Sequence, residues 1–281
     1  MAVAALAVFA FIVLAIVVPR PVAAAEPSDT AFHAGLIISD AAFYNPDTMT
    51  ERQVQRFLAS RSCTPAADAP CLADYRQNTP DEPMRYAHCA AYRGEKDQRA
   101  SAIIVAVAQA CRISPKVLLV LLQKEQSLLT HPSASGYQRA TGYGCPDTAA
   151  CDAHYFGFFN QLYRAAWQFR AYTVGGSSWR YHVGRVRIYY HTDHACGSSV
   201  VDIHNQATAN LYNYTPYQPS SATLEHPDTS TACSAFGNLN FWRIYNQWFG
   251  SPLTVPFPAQ YEGCLNLAGG VRCFRDPHTG L

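Results

Sequence analysis

The stretch "LLVLLQKEQSLLT" (Leu118–Thr130) places one acid, Glu125, in a run of leucines. On a helix, residue i shares a face with i−7, i−4, i−3, i+3 and i+4. For Glu125 those positions are Leu118, Leu121, Leu122, Leu128 and Leu129. The carboxylate therefore points along an apolar stripe, and Lys124 and Gln126 point elsewhere. Burial without a partner disfavours the charged form of a carboxyl group. A carboxylic acid still protonated near neutral pH is what a glycosidase uses to protonate a leaving oxygen. The same placement also suits a structural acid, paired with a buried Arg or capping a loop amide.

Upstream, Ser114 is a natural N-cap and Pro115 suits the first helical position. The run "QRASAIIVAVAQACR" (98–112) predicts a second apolar helix, joined to the first by a tight turn. Downstream, "FNQLYRAAWQFRAYT" (159–173) aligns Leu162, Ala165, Ala166 and Phe169 on one face. "NLNFWRIYNQWFGS" (238–251) sets Phe241, Ile244, Tyr245 and Trp248 at helical spacing, with Gly250 as C-cap. Shorter helices are expected over about 50–60, from the Thr50/Gln53 capping box, and over 205–215, ending before Pro216. "VGRVRIYYH" (183–191) alternates and reads as a strand or short hairpin. The loop 133–157 is long and punctuated by Gly and Cys, and loops of that length inside compact domains are often functional.

The chain opens on an almost unbroken apolar run, Met1 to Val18, followed by an Ala-x-Ala site at Ala23–Ala25. This reads as a secretory signal cleaved after Ala25, with an uncleaved membrane anchor as the alternative. Ten cysteines follow it, an even number, none in a C-x-x-C pair. In an exported chain that parity reads as disulfides. Neighbour pairing is the simplest arrangement: 63–71, 89–111, 145–151, 196–233 and 264–273. Lys+Arg 21 against Asp+Glu 20 is too balanced for a nucleic-acid binder. The 17 tyrosines suit a carbohydrate partner, because sugar rings stack on aromatic faces while the hydroxyls bond sugar OH groups.

Two resemblances follow. A helix ending in Glu and Ser, then a loop, then a Gly-aromatic-x-Gln stretch opening a helix, resembles lytic transglycosylases and goose-type lysozymes. Here the pieces are "KEQSLL" (124–129) and "YFGFFNQLYRAAWQF" (155–169). By position Glu125 matches the catalytic acid, Ser127 the Ser, Gly157 the Gly and Gln161 the Gln. The pattern departs from the family at two points: Gln126 separates Glu125 from Ser127, and Asn160 adds a residue before Gln161. More broadly, "GLIISDAAFYN", "ATGYGCPDTAACD", "NYTPYQP" and "NFWRIYNQWFGS" resemble secreted proteins of high-GC Gram-positive bacteria, often labelled haemagglutinin-like or cell-wall-associated.

What the resemblance implies is a mainly α, lysozyme-like helical domain with long disulfide-tied loops and an N-terminal extension. The expected organisation is signal 1–25, extension 26–95, catalytic domain 96–250, then a Pro-marked linker and cysteine-closed tail, 251–281. The implied activity is an exported peptidoglycan glycosidase, lytic transglycosylase or lysozyme-type. Glu125 is its acid; Gln161, Asn160, Tyr214 and Ser127 contact sugar; Tyr143 and Phe158 line the groove. The alternative is a non-catalytic cell-wall or glycan-binding protein on the same scaffold. The expected partner is peptidoglycan or another wall glycan, with a membrane only if the N-terminal segment is uncleaved. The expected location is secreted or wall-associated, and no cofactor is implied.

Other constellations are weaker. Asp147 and Asp152 are candidates for a second carboxylate, although an Asp after Pro146 also suits a turn. His191, Asp193, His194, Asp202 and His204 lie in a loop-like stretch, and H-x-x-H is not the spacing that sets two imidazoles on one helix face. No G-x-S-x-G elbow occurs; "GGSSW" (175–179) lacks its form. No metal site is expected.

Overall fold

The computed structural model describes residues 31–84, 88–146 and 149–254, and the backbone of 264–267 and 270–273. In chain order the elements are α1 (Asp40–Phe43), α2 (Glu51–Ala59), β1 (Arg76–Gln77), β2 (Gln98–Arg99), α3 (Ala100–Cys111), α4 (Pro115–Gln126), α5 (Ala134–Gln138), α6 (Phe158–Gly175), β3 (Gly184–Tyr189), β4 (Ser198–Ile203), α7 (Gln206–Tyr214), α8 (Ser221–Glu225), α9 (Gly237–Phe249), β5 (Cys264–Leu267) and β6 (Gly270–Cys273). Each sheet has two antiparallel strands: β1–β2, β3–β4 and β5–β6.

The α3–α4 pair forms the middle of the core. Ser114 caps α4 through Lys116 N–H, with Pro115 in the first turn. Leu118, Leu119, Val120, Leu121 and Leu122 are at most 1 % exposed, so α4 is apolar all round because it is enclosed all round. The turn between the helices is made at Arg112, whose φ of 53° is left-handed, and α3 and α4 meet at 119°. Among the described residues no single helix is long and apolar enough to cross a membrane. α6 packs across α3 with Leu162, Tyr163, Ala165, Ala166 and Phe169 fully buried, and α9 lies against α4.

The expectation of a mainly α, lysozyme-like domain carrying an N-terminal extension is corrected in two respects. Helix makes up 44 % of the chain and strand 9 %, so the architecture is mixed. The strand that sequence reading missed is β4: "SSVVDI" pairs with "GRVRIY" over six residues, from Gly184↔Ile203 to Tyr189↔Ser198. That stretch reads as loop because His191, Asp193 and His194 precede it; Asp193 in fact caps a short turn by accepting from Ala195 N–H. In addition, the segment before residue 95 is built into the same core. Ile37, Ile38 and Phe43 are fully buried, and Phe43 meets Phe169 edge-on at 5.1 Å. The Phe43 carbonyl accepts from Ser114 N–H at the start of α4. Asp40 accepts from Ala207 N–H, and the Asn205 amide donates to the Ile38 carbonyl, lacing the segment to the start of α7.

Four disulfides join Cys63–Cys71, Cys89–Cys111, Cys145–Cys151 and Cys196–Cys233, the four neighbour pairs that the described residues can show. The backbones of Cys264 and Cys273 are paired in register across β5 and β6, and the side chains of that expected fifth pair lie outside the described residues. Such bridges belong to proteins that mature in an oxidising, extracellular environment.

If the N-terminal segment is core, then Phe43→Ala removes a fully buried ring that packs on Phe169 of α6. Thermal melts should show a single cooperative transition, weakened by about 3–5 kcal/mol. A loss below about 1 kcal/mol would mark the segment as an appendage.

Candidate functional site

Glu125 stands in the last turn of α4, where the helix leaves the core. Its leucine stripe is buried as expected, yet its own side chain is 23 % exposed. It is also not a lone acid. Lys124 Nζ lies 2.5 Å from Glu125 Oε1, and the Lys124 side chain is only 7 % exposed. Lys124 further donates to Thr215 Oγ1 at 3.1 Å, just beyond α7. Helical spacing sends the Lys124 Cα–Cβ bond away from the acid; a four-carbon stem is long enough to bend back. The tight approach of α9 depends on a glycine: a Cβ on Gly237 would meet Thr215 Cγ2 at 2.4 Å.

The opposite wall comes from the loop before α6. Gly142 has φ 70°, and a Cβ there would contact Glu125 Oε2 at 3.4 Å. Glycine is needed there for the left-handed backbone, while the contact of a Cβ with the carboxylate would be an ordinary one. Next to it, the Tyr214 hydroxyl donates to the Thr141 carbonyl at 2.7 Å, and its ring packs on Phe169. Burial, reinforced by the negative charge of Glu125, pushes the Tyr214 hydroxyl well above the usual phenol range, so it remains a neutral donor. Tyr143 meets Tyr155 edge-on at 4.8 Å; burial and then Tyr155 push its hydroxyl upward, with Arg164 opposing.

Gln161 has a different task from the sugar contact expected of it. It is fully buried, and its amide is spent on the loop. Oε1 accepts from Thr141 N–H (3.2 Å) and Tyr143 N–H (3.1 Å), and Nε2 donates to the Tyr143 (2.8 Å) and Tyr155 (2.7 Å) carbonyls. Phe158 is likewise fully buried, against Tyr75 and Tyr137, and does not line a groove. Ser127 is the left-handed C-cap of α4, with φ 51°. Asn160 faces outward and donates to the His154 carbonyl. Thus the structure gathers Glu125 and Tyr214, with Tyr143 on the adjoining loop; Gln161 and Ser127 shape the backbone around them.

Of the candidates for a second carboxylate, Asp152 caps the 153–155 turn by accepting from His154 N–H, and Asp147 lies outside the described residues. The His194 ring stacks on Tyr189 at 3.9 Å. Among the described residues no three His, Cys, Asp or Glu side chains gather in a way that would hold a metal ion. Sequence reasoning missed Lys124 and Thr215; the one signal for Lys124 was its place beside the acid.

The family model described as "LasA, N-terminal domain" matches residues 36–261. The chain belongs to that family. The match runs from the buried N-terminal segment past α9, so it takes in the whole site. No curated protein and no solved structure matches the chain.

The Gln161 clip is testable on its own. Gln161→Met keeps the bulk and removes both amide atoms, stranding two backbone N–H groups and two carbonyls. A buried group left unpaired costs about 1–3 kcal/mol, so the melt should fall well beyond a cavity effect, and the Thr141 and Tyr143 amides should lose protection in hydrogen exchange. Unchanged protection at those two amides would contradict the assignment.

Proposed function

We propose that this chain is an exported, cell-wall-active protein that cleaves a glycosidic bond of wall glycan, with Glu125 as general acid. The observation that carries this reading is the position of Glu125: a partly open carboxyl at the end of an otherwise enclosed helix, rimmed by Tyr214 and the Gly142 loop. The resemblance of "KEQSLL" and "GFFNQ" to lytic transglycosylases and lysozymes supports it, as do the disulfides of an exported chain.

In this mechanism the Glu125 carboxyl takes up a proton from solvent as bound sugar displaces the Lys124 ammonium from it, and then gives that proton to the glycosidic oxygen as the bond to the leaving sugar lengthens. The carboxylate left behind is stabilised by the Lys124 ammonium beside it. Tyr143 offers an aromatic face and a hydroxyl to the sugar, and the tied Tyr214 keeps the floor of the site rigid. In a transglycosylase no second carboxylate is needed, because the substrate's own N-acetyl and hydroxyl groups take that part.

A second reading, a glycan-binding protein without catalysis, is favoured by the same ion pair, since a structural acid also sits beside a buried cation. Two variants separate them. Glu125→Gln should lower release of soluble fragments from purified wall by about 10²–10⁴-fold. It should also lower the melt, by up to about 3–5 kcal/mol, because Lys124 keeps its Thr215 hydrogen bond but is left buried without a counter-charge. Lys124→Met/Glu125→Gln removes both charges, so stability should return while activity does not. Fragment release by the double variant would overturn the role of Glu125. No release by the wild-type chain would favour the binding reading.

A further inference from the structure

A second concave site lies apart from Glu125, where the C-terminal end of α3 faces the middle of α6. It is a cavity of about 270 Å³ whose lining includes His88, Gln109, Arg112 and Arg170, with Met84 at its rim. The Cys89–Cys111 bridge fixes its floor, because Cys89 lines the cavity and Cys111 ends α3. Met84 is 67 % exposed.

The charges in this cavity are unbalanced. Among the described residues neither Arg112 nor Arg170 has an acidic partner. The Nε of Arg170 is buried and has no hydrogen-bond partner there. Its guanidinium carbon stands 5.6 Å from the centroid of the Tyr44 ring. Burial lowers the proton affinity of Arg170; the neighbouring charge of Arg112 lowers it further, against an opposing effect of Tyr44. Two guanidinium groups lining one cavity without an acidic partner repel each other, and an anion with two or more oxygens between them offsets that repulsion. The planar fork of Arg matches phosphate and carboxylate oxygens, and the Gln109 amide and His88 ring add donors of the right sign.

We infer that the pocket between α3 and α6 is a binding site for a small oxyanion, a phosphate or a carboxylate group, held by Arg112 and Arg170. The volume suits such a group on the end of a larger molecule rather than a length of glycan. The site is independent of the reading of Glu125.

Arg112 provides a clean variant. It occupies a left-handed position, φ 53°, that glycine adopts without strain. Arg112→Gly therefore removes a guanidinium while the helix end keeps its shape. The mature chain would be melted in rising sodium phosphate and sodium acetate, each against sodium chloride at equal ionic strength. The expected result is a saturable rise in Tm with phosphate, acetate or both that chloride does not give; which of the two works names the group. Arg112→Gly should fold with a Tm no lower than wild type and lose that rise, whereas Arg52→Ala, on the exposed face of α2, should keep it. No rise with either anion, an equal rise with chloride, or a full rise in Arg112→Gly would overturn the proposal.

Discussion

One buried amide holds the candidate site in shape. Gln161 reaches from the first turn of α6 into the loop before it and satisfies two backbone N–H groups and two carbonyls at once. A loop that carries Gly142 and Gly144 at positive φ has little conformational preference of its own to hold it in place. The clip supplies that definition from a rigid helix, and Cys145–Cys151 closes the loop beyond it. With Thr141 fixed, Tyr214 has its acceptor; with Gly142 fixed, Glu125 has a wall. A side chain that sequence resemblance assigns to the substrate thus acts one step away, on the frame around the acid.

The acid itself shows a compromise between burial and exposure. A carboxylate enclosed by α4's leucines would be costly, and the fold limits that cost in two ways. The helix ends at Ser127, which leaves the Glu125 side chain partly in solvent, and Lys124 bends back to it. Lys124 is in turn tied to Thr215, which the Asn238 amide holds through its carbonyl at the start of α9. The charge pair therefore links α4, the end of α7 and α9, three elements far apart in sequence. Removing either charge alone disturbs that junction, which is why the single and double variants have different meanings.

The helices were legible because each has both a periodic apolar face and local end signals. The Thr50/Gln53 box, the Ser114–Pro115 start and the Gly250 stop all appear in the structure where the sequence places them. The neighbour pairing of cysteines was legible because short loops close with little entropy. What was not legible depended on partners distant in the chain. β4 has no convincing pattern until β3 lies beside it, since its edge residues are half exposed. The role of residues 34–44 rests on contacts to α4, α6 and α7, some of them across about 170 residues. Lys124 was misplaced because helical geometry fixes Cβ directions and not the end of a long flexible stem. In the candidate site, Glu125 and Tyr214 were singled out by pattern and lie near each other, whereas the bonding of Gln161 required the loop to be seen folded over it.

The most direct measurement is the chemistry of the ends produced when the mature chain is incubated with purified cell wall. Mass analysis of the soluble fragments should show newly formed sugar ends, anhydro for a transglycosylase or reducing for a hydrolase, with stem peptides intact. Fragments whose new ends are peptide, or walls that bind the protein and release nothing, would contradict glycosidic cleavage at Glu125.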